Sequence, residues 1–148
     1  MLKNAVQALK TFHRVMEISK EQSLSGEYCE FLNSIRFKVE TLAHYAEAYI
    51  EENDSRYLRI HLMLEELGEA VASMINGDEV ALLDALTDLV FVTIGTAVTF
   101  DLPISEAFNE IYDANMTKTP KLGPRLRDKG EMYIPPDLEK IFKEHRKQ

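Results

Sequence analysis

Two long apolar segments, residues 57–76 and 79–100, are separated only by Gly77 and Asp78, and no other feature constrains the fold of this chain as strongly. The first carries Leu58, Ile60, Leu62, Met63, Leu64, Leu67, Ala70, Val71, Met74 and Ile75, so a helix here is apolar on nearly every face. Its acids are Glu65, Glu66 and Glu69, which at helical spacing share about a quarter of the circumference. The second segment is more apolar still. After Glu79 its acids are Asp84 and Asp88, one turn apart. Gly77 suits the left-handed position that closes a helix, and Asp78 suits an N-cap, so the spacing predicts two antiparallel helices joined by a short turn. At about 1.5 Å per residue, Glu69 and Asp84 stand at similar distances from the turn, as do Glu65 and Asp88. Glu69 is therefore expected to face Asp84, and Glu65 to face Asp88. Carboxylates gathered between apolar helices cannot all ionise, and a hard divalent cation is the simplest reason for keeping them together. Magnesium is the expected ion, with manganese as a substitute. The plainer alternative is a solvated acidic edge.

The rest of the chain extends this helical reading. Residues 3–18 predict an amphipathic helix with Val6, Leu9, Phe12, Val15 and Met16 on one face. A longer helix is expected from an N-cap at Ser25 to about Glu52, with Tyr28, Phe31, Leu32, Ile35, Val39, Leu42, Ala43, Ala46, Tyr49 and Ile50 as its apolar stripe. Asn53-Asp54-Ser55 breaks the chain before the acid-bearing helix. Pro103 opens a further helix, which ends in Asn115-Met116-Thr117-Lys118. Thr119 to Pro136 holds four Pro and two Gly with Lys121, Arg125, Arg127 and Lys129, so it reads as an irregular basic segment, either a solvated loop or a phosphate-facing flap. A short helix from Asp137 to about Arg146 closes the chain. No run alternates as a strand does. The expected fold is an all-α bundle of four to five helices in one domain, residues 1–148, with an irregular basic loop and a short final helix.

Composition removes several function classes. A net charge of −8 argues against a nucleic-acid polymer as partner. The lone Cys29 allows no internal disulfide and fits a reducing cytoplasm. The N-terminus lacks a signal-peptide apolar run, and the apolar stretch Leu89–Phe100 is too short to span a bilayer, so a cytoplasmic chain without a membrane partner is expected. None of His13, His44, His61 and His145 follows a Glu by three residues, which removes a di-iron carboxylate bundle. Arg59 and His61 precede Glu65 by one to two turns; Arg59 either holds a phosphate or pairs with a carboxylate.

Arg59-Ile60-His61-Leu62-Met63-Leu64-Glu65-Glu66-Leu67-Gly68-Glu69 and Leu83-Asp84-Ala85-Leu86-Thr87-Asp88 resemble the two metal-binding motifs of the all-α nucleotide pyrophosphohydrolases, the superfamily of MazG, the dimeric dUTPases and phosphoribosyl-ATP pyrophosphohydrolase. Asn115-Met116-Thr117-Lys118 and Tyr133-Ile134-Pro135-Pro136-Asp137-Leu138 resemble its phage and bacterial MazG-like branch. The likeness covers roughly residues 56–141. It implies magnesium-dependent hydrolysis between the α- and β-phosphates of a nucleoside triphosphate, giving a monophosphate and pyrophosphate. It also implies metal ligands at Glu66, Glu69 and Asp88, with Glu65 as a further ligand or as the base that orients water. The second motif departs from the usual Glu-x-x-Asp: Ala85 stands where Glu is expected, and Asp84 is the available replacement. Asn115 and Lys118 are implied substrate contacts, Arg59 is the further expected phosphate contact from its own position, and a homodimer or dimer of dimers is the implied assembly. The alternatives are the same fold acting on phosphoribosyl-ATP or a modified nucleotide, and a catalytically silent helical binding module.

Overall fold

The computed structural model describes residues 2–18, 24, 30–50, 54–120 and 127–147, without the side chains of Pro120, Arg127 and Asp128. Its helices are α1 (Leu2–Val15), α2 (Glu30–Glu47), α3 (Ser55–Asn76), α4 (Glu79–Thr99), α5 (Ile104–Met116) and α6 (Leu138–His145). The expected Ser25 cap, Tyr28, Cys29, the helix end at Glu51 and Glu52, Asn53, Lys121 and Arg125 lie outside the described residues. The fold is all-α, as the sequence predicts. One addition is a two-residue antiparallel ladder of β1 (Thr119–Pro120) with β2 (Arg127–Asp128), which pairs Thr119 with Asp128 and Pro120 with Arg127. Strand periodicity cannot reveal so short a ladder. A Cβ on Gly130, whose φ is +67°, would collide with the Thr119 side chain, so the second residue after β2 has to be small and left-handed.

The chain divides into two compact units, residues 21–101 and residues 1–20 with 102–148. In the first, α2 packs on α3 and α3 on α4. The turn between α3 and α4 forms as its residues dictate. Gly77 adopts φ +68° and returns its N–H to the end of α3, while the Asp78 carboxylate accepts from the N–H groups of Val80 and Ala81. Asp54 caps α3 in the same way through the Arg56 N–H. Tyr49 stacks on Tyr57 at 5.4 Å across the connection from α2 to α3. Contacts set the register of α2 on α3. His61 reaches the Ala43 carbonyl, and a Cβ on Gly68 would touch Val39 and Glu40, so the two helices run antiparallel.

Small residues fill the seams of this unit: Ala43, Ala46, Gly68, Ala70, Ser73, Ala85 and Ala97 are buried, with Ile75 and Val92 beside them. Small side chains let helix axes approach closely. Several large apolar residues of these helices are exposed. Phe31 and Leu42 on α2 and Val80, Leu83, Phe91 and Val98 on α4 face outward, Val80 at 80% and Phe91 at 77%. Periodicity marks an apolar side without showing what covers it.

α4 is long and apolar enough, by length and composition, to cross a membrane. Asp88 lies near its midpoint, where a bilayer would charge about 2.5–3.5 kcal/mol for one acid, and one side of the helix packs on α3. A protein surface suits that side better than lipid does.

In the second unit α5 packs against α1 and α6. Phe12, Met16 and Ala114 are buried, while Val6, Leu9 and Val15 of the expected α1 stripe are exposed. The segment before α6 is tied to α5: the Ile134 N–H donates to Thr117 Oγ1 at 2.9 Å and the Asp137 N–H to Glu110 Oε1 at 2.8 Å. Pro103 occupies the cap position of α5, and Asp137 caps α6 through the Lys140 N–H.

Asp78→Ala removes the side-chain acceptor for two amides at the α3–α4 turn. Thermal melts should show a loss of about 1 kcal/mol, and an unchanged melt would mean the turn is held by packing alone.

Candidate active site on the α3–α4 hairpin

The acids sit where α3 and α4 run side by side. Glu66 is half-buried on α3, whereas Glu65, Glu69, Asp84 and Asp88 are exposed. This corrects the expectation of carboxylates enclosed between apolar helices: a helix pair with small seam residues keeps its acids at the rim of the seam. The Glu66 carboxyl is held above the ordinary value of 4.5, first by burial and then by the negative charge of Glu69, Asp88, Glu65 and Asp84, in that order. Glu66 is thus the group that senses all four other acids. Height matching paired Glu69 with Asp84 and Glu65 with Asp88, and it gave Glu66 no partner. Ala85, which stands at the motif position next to Asp84, is 1% exposed.

As placed, no group of three or more His, Cys, Asp or Glu side chains among the described residues closes around a metal-sized point. The donor set is nevertheless all carboxylate, which is the oxygen chemistry a hard divalent cation takes. Burial first, and the neighbouring carboxylates second, raise the Glu66 titration, and a bound cation would oppose both.

Arg59 lies two turns before Glu66, and Gly95 lies two turns after Asp88. The two meet: a Cβ on Gly95 would stand 3.2 Å from Arg59 Nη1. Gly95 therefore leaves room for the guanidinium against α4. Arg59 Nε is buried without a hydrogen-bond partner, and among the described residues Arg59 makes no ion pair. Of the two roles open to it in the sequence, carboxylate pairing is absent. An orphaned buried donor fits an anionic ligand better.

On the other flank of α3, Glu65 and Glu69 line a cleft of about 330 Å³ with His61 and with Glu40, Ala43, His44 and Glu47 of α2. Sequence reasoning gave α2 no part in any site. His61, four residues before Glu65, was the available signal.

Asn115 and Lys118 belong to the other unit. Asn115 ends α5 half-buried and its carbonyl accepts from the Lys118 N–H at 3.1 Å. Lys118 Nζ lies 5.8 Å from the Tyr133 ring centre, and Lys129 Nζ lies 5.2 Å from it. Tyr133 therefore holds Lys118 and, from the basic segment, Lys129 near its ring.

Among protein families, the model described as phosphoribosyl-ATP pyrophosphohydrolase matches residues 29–115, more than half of the chain. That span covers α2 to α5 and includes every candidate acid. No curated protein and no solved structure matches.

Two outcomes are expected at this site. In metal-free protein the raised Glu66 carboxyl means the folded state holds a proton that the unfolded state releases. Its contribution to stability is complete below pH 4.5 and is lost as pH rises through the higher folded value. Glu66→Gln should therefore melt close to wild type near pH 4 and above it near pH 7 in chelator. A variant that melts lower at pH 7 would show that the Glu66 carboxylate makes a stabilising contact. Gly95→Ala should melt no lower than wild type, because Ala favours a helix over Gly by about 1 kcal/mol and the crowded atom ends a flexible side chain. It should raise the KM for nucleotide by displacing Arg59, and an unchanged KM would remove Arg59 from the substrate.

Proposed function

From this chain's membership of the phosphoribosyl-ATP pyrophosphohydrolase family, whose members hydrolyse phosphoanhydrides, we propose that it cleaves the α–β phosphoanhydride of a nucleotide triphosphate and releases pyrophosphate. Phosphoribosyl-ATP is the substrate the family match favours over a plain nucleoside triphosphate. The observation that carries the reading is the carboxylate set centred on Glu66, with an arginine two turns away on α3 whose buried Nε has no hydrogen-bond partner.

Glu66, Glu69, Asp84 and Asp88 would hold magnesium, which supplies neutralising charge at the phosphates when bound. Glu65 borders an open cleft and is itself half exposed, so it can reach and orient a water molecule. Proton acceptance from that water at a Glu65 carboxylate oxygen would leave the oxygen free to attack the α-phosphorus in line with the departing pyrophosphate. Arg59 offers its guanidinium to phosphate oxygens. Asn115 and Lys118 are assigned to the substrate by the resemblance of Asn115-Met116-Thr117-Lys118 alone. A homodimer is proposed on the outward-facing Val80, Leu83, Phe91 and Val98 of α4, which a second copy would cover.

The test is incubation of the protein with phosphoribosyl-ATP and with a panel of nucleoside triphosphates in magnesium, with products separated by chromatography. Pyrophosphate and the matching monophosphate are expected, with phosphoribosyl-ATP turned over fastest. Orthophosphate with a diphosphate as primary products would refute the assignment, and a faster plain triphosphate would overturn the substrate order.

A further inference from the structure

The cleft between α2 and α3 contains a histidine whose two ring nitrogens face different partners. His61 is 15% exposed at its side chain. Its Nδ1 lies 3.1 Å from the Ala43 carbonyl oxygen of α2, and its Nε2 lies 3.7 Å from Glu65 Oε2 on its own helix. A carbonyl oxygen only accepts, so Nδ1 carries a hydrogen and donates to Ala43. That bond fixes the ring plane from behind and leaves the Nε2 edge turned to Glu65. The α2 groups that line the same cleft are engaged on their own helix. Glu40 pairs with Arg36 at 3.4 Å, and Glu47 pairs with His44 at 3.5 Å. Neither competes for the Nε2 edge. A half-exposed Glu65 would otherwise sample several rotamers, and an anchored neighbour one turn away selects among them.

We propose that His61 is the positioning residue for Glu65, tethered to the Ala43 carbonyl through Nδ1–H so that a second ring hydrogen, on Nε2, keeps the Glu65 carboxylate aimed at the attacking water. The proposal rests on the reading of Glu65 as the water-orienting group. It links the geometry of the α2–α3 packing to the rate of the reaction.

Two measurements on the full chain test it. The first needs no turnover: nitrogen-15 NMR of the imidazoles in metal-free wild type and in Glu65→Gln. The expected result is hydrogen on both ring nitrogens of His61 and an Nε2 resonance that moves in the variant. A ring protonated at one nitrogen only, or an Nε2 signal indifferent to Glu65→Gln, overturns the proposal. The second compares His61→Asn, whose amide can take the place of Nδ1, with His61→Gln, whose amide can take the place of Nε2. His61→Asn should melt like wild type and lose kcat by roughly ten- to a hundredfold with KM unchanged, because a misplaced group near the chemistry costs rate rather than binding. His61→Gln should recover part of that loss. Equal kcat in His61→Asn and wild type would reduce His61 to a packing residue. A fully active Glu65→Gln variant whose His61 signal still moves would leave the pairing intact and remove the role of Glu65.

Discussion

The turn at Gly77 and Asp78 is the constraint on which the candidate site depends. It is short because one residue takes a left-handed conformation and the next caps a helix, and a short turn leaves the two helices one antiparallel register. That register puts Glu66 near Asp84 and Asp88 and brings Arg59 against Gly95. The small residues along the seam then decide the spacing. With Ala70, Ala85 and Ala97 between them, the helices approach closely enough for carboxylates at the rim to feel each other's charge.

The cost of that arrangement is electrostatic. Glu66 is partly withdrawn from water and faces four like charges, so the folded chain carries an unfavourable term that a cation would convert to a favourable one. A site assembled for stability alone would interleave lysine or arginine among the acids. The only cation in the same seam is Arg59 among the described residues, two turns away and unpaired. Separation of the acids from the arginine along one groove suits a ligand that is itself extended and negatively charged and that requires a metal at one end.

Much of this was legible in the sequence, for physical reasons that differ from residue to residue. The hairpin was readable because Gly77 and Asp78 each have one strong local preference. The acids were readable because few other polar residues interrupt those two segments. The central place of Glu66 was not, because rise along an axis gives height and leaves out the angle around it. The α2 cleft was missed because Glu40 and Glu47 look like solvent-facing acids in a helix rich in polar residues. Which apolar residues face outward, Phe91 and Val80 among them, was not readable from period alone, since an apolar period is the same whether the covering surface belongs to the same chain or to another. Ala85 shows the reverse case: the sequence flagged it as a departure from the motif, and its burial gives a structural reason for a small residue there.

Arg59 and Glu66 are separated by seven residues on one helix, and so are Asp88 and Gly95 on the other. Adding or deleting one residue inside either interval would rotate one end by about 100° against the other. Arg59 would leave the notch at Gly95 just as Glu66 left the seam. The stretch from Arg59 to Gly95 can therefore drift by replacement of individual side chains but not by change of length. Any descendant of this sequence that keeps the hairpin should have its gains and losses of residues outside that stretch, which makes the hairpin a fixed ruler against which distant copies can be aligned.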